Sequence, residues 1–278
     1  MSITLHDIEF LMSESGERLL ARLRSENLSE TNTLHLLTSL RKDNSPEQAG
    51  AALEMARLRL KAVDKFGGDA GKMFFTREAL EQASHPLVRA YRAEIIGKQI
   101  VVDAGCGIGA DSLAFTKAGA DVIGMDIDPV RVEIARCNAQ VLGLKARFEV
   151  ADIRDGLPPS DVAFFDPARR DDQGKRIYDV ERYLPPLSIV RTWKQPSIMV
   201  KLSPGVDLDQ LKSYPGLVDF ISVSGDLKEA VLLLGDGVRR KRATLLRPGE
   251  YYFWEREVGF IPETVIAAPR NWLIEPDP

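Results

Sequence analysis

An α/β fold, with a parallel sheet preceded by an N-terminal helical domain, follows from three features of this 278-residue chain. From Ile100 onward, short apolar runs alternate with segments of helical periodicity, the order that builds βαβ units. The run Ile100-Val101-Val102 opens directly into Asp103-Ala104-Gly105-Cys106-Gly107-Ile108-Gly109, a glycine-rich passage from strand to helix. Residues 1–62 instead place their apolar residues at helical spacing.

Taken in order, Ile8, Leu11, Leu19, Leu20 and Leu23 predict N-terminal helices, as do Leu34, Leu37 and Leu40. Ser45-Pro46-Glu47-Gln48 is a helix start, with serine as cap, proline in the first turn and a reciprocal Gln. That helix runs through Met55, Leu58 and Leu60 to a break at Gly67-Gly68-Asp69-Ala70-Gly71. Thr76 caps one further helix through Leu80, Val88, Tyr91 and Ile95, ending at Gly97. Strands are expected near 100–103, 121–126, 146–150, 161–166, 197–202, 218–224 and 230–235, with helices near 109–118, 129–142, 180–193 and 207–213. Only Gly225 to Glu229 separate the last two strands, too few for a crossover helix, so the final strand pairs antiparallel. This yields a Rossmann-like sheet of seven strands. Arg242–Leu246 and Tyr251–Trp254 read as two further strands around Arg247-Pro248-Gly249-Glu250. The organisation expected is a helical domain over 1–62, a linker and helix covering the active site over 63–99, a catalytic domain over 100–236 and a β extension over 237–278.

Composition narrows the function. With 44% hydrophobic and 28% charged residues and no apolar run of membrane-spanning length, the chain reads as a soluble cytoplasmic protein with no membrane partner. Charges throughout the first twenty residues argue against a secretory signal. Cys106 and Cys137 form no disulfide framework, and with three scattered histidines no metal site is expected. A net charge of −4 does not advertise nucleic-acid binding, but Arg169-Arg170 and Arg239-Arg240-Lys241-Arg242 are local basic runs. Such runs serve either a polyanion or a solvated strand edge.

The chemistry concentrates at strand ends. Gly105 and Gly107 permit positive φ or a close backbone approach, so a ligand can lie against the main chain. Asp126, 21 residues after Gly105, ends the next apolar run and can accept hydrogen bonds from ribose hydroxyls. The glycine spacing Gly105-x-Gly107-x-Gly109 departs from the dinucleotide pattern, and Asp103 would repel a pyrophosphate. An ammonium and a sulfonium suit that carboxylate better, which points to S-adenosylmethionine. Asp152 ends a third strand and can reach the adenine amino group; Ile127 and Ile153 join these acids in the cofactor pocket, with Cys106 a small residue beside the ligand. Asp166 ends a fourth strand, so four successive strands end in Asp where open α/β sheets bind ligands.

Residues 100–130 resemble the cofactor site of class I S-adenosylmethionine-dependent methyltransferases. A longer stretch, about 57–235, resembles the RNA cap guanine-N2 methyltransferases of trimethylguanosine synthase type and a related bacterial group with a C-terminal THUMP-like domain. The residues that carry it are Arg57-Leu58-Arg59, Lys65-Phe66, Phe74-Phe75-Thr76, Asp166-Pro167-Ala168-Arg169-Arg170 and Gly225-Asp226-Leu227-Lys228-Glu229-Ala230. The resemblance implies a seven-stranded class I sheet, with 237–278 as the start of a THUMP-like domain. The glycine-rich break between Lys65-Phe66 and Phe74-Phe75-Thr76 lets the chain fold back over the strand tips. That would put Phe74 and Thr76 at the cofactor site and let the aromatic pair cover adenine or the target base. The alternative for Phe74 and Phe75 is that they staple the following helix to the sheet.

Enzymes that methylate exocyclic amines of bases use an Asp/Asn-Pro-Pro-aromatic motif, because accepting the amine N–H bonds frees its lone pair for the methyl group. Asp166 and Pro167 match as catalytic residues. Ala168 and Arg169 depart from the pattern, and a guanidinium stacks on bases and holds phosphate, so Arg169 and Arg170 are candidates for binding an anionic substrate. The two arginines could equally pair with Asp171, Asp172 or Asp179. The expected function is transfer of a methyl group to a base nitrogen of RNA. The rivals are a small-molecule methyltransferase with the N-terminal helices as a lid, and a non-catalytic S-adenosylmethionine- or RNA-binding module.

Overall fold

A computed structural model describes residues 3–170 and 173–257. Its packing divides the chain between Asp155 and Gly156 into two compact units. In the first, helices α1 (Leu5–Met12), α2 (Glu14–Leu23), α3 (Thr33–Leu40), α4 (Pro46–Lys61) and the single turn α5 (Val63–Phe66) precede α6 (Arg77–Gln82) and α7 (Pro86–Ile96). Strands β1 (Ile100–Ala104), β2 (Asp121–Asp126) and β3 (Arg147–Val150) follow, joined by helices α8 (Ala110–Lys117) and α9 (Pro129–Val141). They pair in parallel in the order β3-β2-β1, with Asp103 opposite Gly124 and Asp126 opposite Val150. The capping box at Ser45 forms as expected, Ser45 accepting from the Gln48 amide and Gln48 from the Ser45 amide. The helix expected from Thr76 to Gly97 is two helices. Pro86 forces His85 into an extended conformation (ψ 139°) and the chain restarts at α7.

The N-terminal helices share one core with the α/β part of this unit. Leu11, Leu23, Met55 and Leu58 belong to the same buried cluster as Phe75, Ile108, Ile134 and Phe148. The cations of the Arg-Leu-Arg and Lys-Phe motifs hold this core's loops. Arg57 donates to the carbonyls of Leu28 and Ser29, Arg59 to those of Met73 and Lys72, and Lys65 to Leu80, Glu81 and Ala83 at the end of α6. Helix carbonyls left without an intrahelical partner need such donors. Arg92 of α7, fully buried, pairs with Asp111 of α8.

The second unit holds β4 (Val162–Phe165), β5 (Ser197–Leu202), β6 (Leu217–Val223), β7 (Asp226–Leu234), β8 (Arg240–Arg247) and β9 (Glu250–Glu257). The order is β4-β5-β7-β6-β8-β9, with β7 antiparallel between β5 and β6 as the short connection predicts. That connection is only Ser224-Gly225, both at positive φ (52° and 92°), the backbone of a two-residue hairpin turn, so β7 starts four residues earlier than expected, at Asp226. The described residues contain nine strands, the seven expected in the sheet and the two further ones expected after them. The two additional ones are not a separate extension, because β8 pairs in parallel with β6 along its whole length, Leu217 opposite Arg240 through Val223 opposite Leu246. The expected helices at 180–193 and 207–213 are 3₁₀ turns, Val180–Arg182, Leu187–Thr192 and Leu208–Leu211. Pro185-Pro186 interrupts the first, and Tyr214-Pro215-Gly216 follows the last too soon for a second α-turn.

Gly124, inside β2, has a steric task. A Cβ there would lie 2.5 Å from Cδ1 of Phe148 and 3.0 Å from the Cys106 Cβ. Gly124→Ala therefore overpacks this core, and we expect urea denaturation to show a loss of about 1–3 kcal/mol. An unchanged midpoint would mean that the Phe148 ring yields freely.

Candidate active site

The turn after β1 is built by main-chain bonds and three left-handed glycines. The amides of Gly105 and Cys106 both donate to the Met125 carbonyl (2.8 and 2.9 Å), and Gly105, Gly107 and Gly109 have φ of 89°, 54° and 81°. At Gly109 the space is filled, since an added Cβ would meet Ala135 and the Phe148 ring at 3.2–3.3 Å. At Gly107 nothing stands within 4 Å of that position, so the turn has open space in front of it. Asp126, 7% exposed, accepts from the Gly107 amide at Oδ2 and from the Asp128 amide at Oδ1, each at 2.9 Å. A carboxylate has about four lone-pair sites. Two therefore remain for hydroxyl donors at the same oxygens. Ile127, next in the chain, is 63% exposed and offers an apolar face beside that carboxylate.

The other expected cofactor residues take more varied positions. Asp103 is buried and accepts from the Ser112 hydroxyl of α8, so part of its acceptor capacity anchors the helix that the glycine turn opens. Asp152 is held by Arg154, whose Nε is 2.9 Å from both carboxylate oxygens, and its carboxyl is lowered below its usual range by that bond. An adenine amino group would have to share this acceptor with Arg154. Ile153 is buried in a 3₁₀ turn. The Cys106 thiol is raised well above its ordinary range by burial and by the charges of Asp103 and Asp126. It is therefore a protonated thiol, not a nucleophile.

The aromatic pair is not a cover over the pocket. The Phe74 ring is buried beneath Arg59, 4.9 Å from its centroid, and Phe75 packs on Phe66 at 5.2 Å. Both rings belong to the core, Phe74 against Arg59 of α4 and Phe75 against Phe66 of α5. The Phe74 main chain is nonetheless tied to the glycine turn. Asn138 of α9, fully buried, accepts from the Phe74 amide (2.6 Å) and donates to the carbonyls of Phe74 (3.0 Å) and Ile108 (3.1 Å). Thr76, half-buried, caps α6 through the Ala79 amide. A cavity of about 570 Å³ lies elsewhere, lined by Phe66, Met73, Ala90, Ala93, Leu113 and Ala114, with none of Asp103, Asp126 or Asp152 in its wall.

In the second unit, Asp166 follows β4 and meets a residue that the sequence reading overlooked. Lys201 of β5, 4% exposed, donates from Nζ to Asp166 Oδ2 at 2.6 Å. The register explains the meeting: Phe165 stands opposite Val200, so the next residue on each strand is also a pair. The signal was a single charge inside the apolar run Ile198-Met199-Val200-Lys201-Leu202. Among the described residues Oδ1 of Asp166 has no hydrogen-bond donor, leaving it as an acceptor. Pro167 is buried, and Ala168 exchanges two main-chain bonds of 3.1 Å with Leu184, which clamps the segment from the far side. Arg170 donates to the Gly174 carbonyl (2.9 Å). Arg169 has no carboxylate partner among the described residues, while Asp171 and Asp172 lie outside them.

Comparisons with known proteins fall on this geometry. Residues 101–166, from β1 to Asp166, match the family described as a methyltransferase domain. Over 244 residues the chain is 32% identical to an uncharacterized S-adenosylmethionine-dependent methyltransferase of Mycobacterium tuberculosis, covering 83% of this chain. The chain is thus similar to the S-adenosylmethionine-dependent methyltransferases, with a methyltransferase domain matched at residues 101–166. It spans 66% of that relative's length. Residues 4–62 match a domain of unknown function (DUF8688). A solved structure assigned to a methyltransferase of Porphyromonas gingivalis W83 shares the fold, at TM-score 0.67 and 23% identity, over 86% of this chain and 65% of that one. A shorter match, 38% identical over 85 residues, is to an uncharacterized RNA methyltransferase of Parasynechococcus marenigrum, covering 28% of this chain and 18% of that protein. Among the described residues no helix is long and apolar enough to cross a membrane.

Proposed function

We propose that this methyltransferase transfers a methyl group from S-adenosylmethionine to a base nitrogen of RNA. The observation that carries the cofactor half is the pairing of Asp126 with the Gly107 amide, in front of open space and with acceptor capacity left for two ribose hydroxyls. S-adenosylmethionine contributes an electrophilic methyl group on a sulfonium. Asp126 binds the ribose, Ile127 and Ile153 flank the adenine, and Asp152 shares its carboxylate between Arg154 and the adenine amino group. Gly105, Cys106 and Gly107 give the methionine portion a surface without side-chain bulk. Asp103 supplies negative charge beneath it, and the Phe74–Thr76 segment supports the turn through Asn138.

Asp166 accepts an N–H of the target base at the oxygen that Lys201 leaves open, and Pro167 keeps that oxygen in place. Arg169 and Arg170 bind the phosphates that flank the base. The RNA half draws on this motif and on the partial likeness to an RNA methyltransferase. The motif also supports membership of the bacterial group with a THUMP-like domain, related to the cap guanine-N2 enzymes. Two free, buried cysteines suit a reducing cytoplasm. The test is transfer of labelled methyl from S-adenosylmethionine to total RNA and, separately, to a small-molecule extract of the same cells. We expect the label in RNA, in a nucleoside that mass spectrometry finds depleted when the gene is deleted. Label confined to small molecules supports the metabolite reading, and cofactor binding without transfer to either pool supports a non-catalytic module.

A further inference from the structure

Strand β9 carries four consecutive exposed aromatics, Tyr251, Tyr252, Phe253 and Trp254, at 41–58% exposure, at the end of the second unit's strand order. Exposed apolar rings in a row are a hazard on an edge strand unless something covers them. Register sorts them onto two faces. Tyr251, Phe253, Glu255 and Glu257 lie opposite Leu246, Thr244, Arg242 and Arg240, and here the charges are matched. Glu255 takes Arg240 and Arg242, Asp236 takes Arg240 as well, and Arg242 also lies over the Phe253 ring. On the other face Tyr252, Trp254 and Arg256 lie opposite Leu245, Ala243 and Lys241, with Arg247 opposite Glu250 at the turn. Among the described residues neither Lys241 nor Arg256 has a carboxylate partner, and Arg256 lies over the Trp254 ring at 5.2 Å. This second face therefore presents two aromatic rings and a surplus of positive charge, Lys241, Arg247 and Arg256 against Glu250, which accepts from the Tyr252 hydroxyl (2.9 Å).

We infer that this face of the β8–β9 hairpin is a stacking platform for single-stranded RNA, with Tyr252 and Trp254 each taking a base and Lys241, Arg256 and Arg247 taking phosphates. The inference rests on the RNA reading proposed above and names a surface outside the candidate active site. Tyr252 and Trp254 are two residues apart on one strand, about 7 Å by strand rise. Neighbouring unstacked bases of one strand can each reach a ring at that spacing, whereas paired bases of a duplex present no free face. Ala243 opposite Trp254 adds no bulk beside the indole, one face of which carries the Arg256 guanidinium, and the basic residues match a polyanion better than an apolar protein partner.

The test is fluorescence anisotropy of a labelled 12-nucleotide oligouridylate, and of its duplex with oligoadenylate, titrated with the full chain. We expect Tyr252→Ala and Trp254→Ala each to weaken single-strand binding by about tenfold or more, with S-adenosylmethionine affinity unchanged. Phe253→Ala, on the opposite face, should leave RNA binding within about twofold of wild type, and the duplex should bind more weakly than the single strand. Wild-type affinity in Tyr252→Ala and Trp254→Ala overturns the platform, and if these variants still methylate RNA normally the RNA reading stands without it. Equal binding of single strand and duplex also overturns it. A wild-type dimer in sedimentation that Trp254→Ala converts to monomer identifies the face as a contact between copies and overturns it. A wild type that neither binds nor methylates RNA removes both readings.

Discussion

Asp166→Asn should lower the rate of methyl transfer about 10²- to 10³-fold, the cost of removing one preorganised polar group from a reacting centre, while S-adenosylmethionine affinity stays within about threefold. The amide keeps the shape of the carboxylate and its oxygen still accepts from Lys201, so the variant isolates charge from packing. Asp166→Ala is a different experiment, because it leaves the Lys201 ammonium buried and without its carboxylate. Breaking a buried pair from one side costs about 3–5 kcal/mol, and we expect that loss in urea denaturation. Lys201→Met should cost less, since the carboxylate side chain it strands is 27% exposed and can be solvated. Asp166→Ala/Lys201→Met should recover part of the stability lost by Asp166→Ala alone, and a strictly additive double-mutant cycle would show that the two groups are not coupled. If Asp166→Asn loses cofactor binding and transfer together, Asp166 serves the cofactor pocket or the fold and not the nucleophile.

Asp126→Ala should weaken S-adenosylmethionine binding by at least tenfold. Two charge-assisted bonds to ribose hydroxyls, at about 1.5–3 kcal/mol each, are more than enough for that loss. The substitution also releases the amides of Gly107 and Asp128 in the partly buried turn that Asp126 holds, so urea denaturation is measured beside affinity. Asp126→Asn is the control for that structural part: its amide oxygen can keep one of the two contacts, with Gly107 or Asp128, while the charge is gone. Calorimetric affinity at the wild-type level in both variants would overturn the cofactor assignment at β2. A loss confined to Asp126→Ala would assign the effect to the turn, not to the charge.

Much of the molecule was legible because its signals are local. The glycine turn, the capped helix at Ser45 and the strands at or near whose ends Asp103, Asp126, Asp152 and Asp166 stand depend on backbone sterics and alternating burial, which short windows of sequence carry. The antiparallel place of β7 followed from loop length alone, even though the turn proved to be two residues instead of five. The helix over 180–193 failed where Pro185 and Pro186 outweighed apolar spacing, and the Thr76–Gly97 helix failed at Pro86 for the same reason.

By itself, then, the sequence determined the α/β class, the turn that accommodates a ligand against the main chain, and the carboxylates at the strand ends. Tertiary structure alone decided what those carboxylates touch. Parallel register set Lys201 beside Asp166, across 35 positions of sequence, and Asn138 joined the Phe74 segment to the glycine turn across 64. Packing put the Phe74 and Phe75 rings into the core, and made β8 and β9 part of a sheet instead of an appendage. Pairing between distant strands and the burial of one ring over another are set by the whole assembly, and no local pattern of residues encodes them.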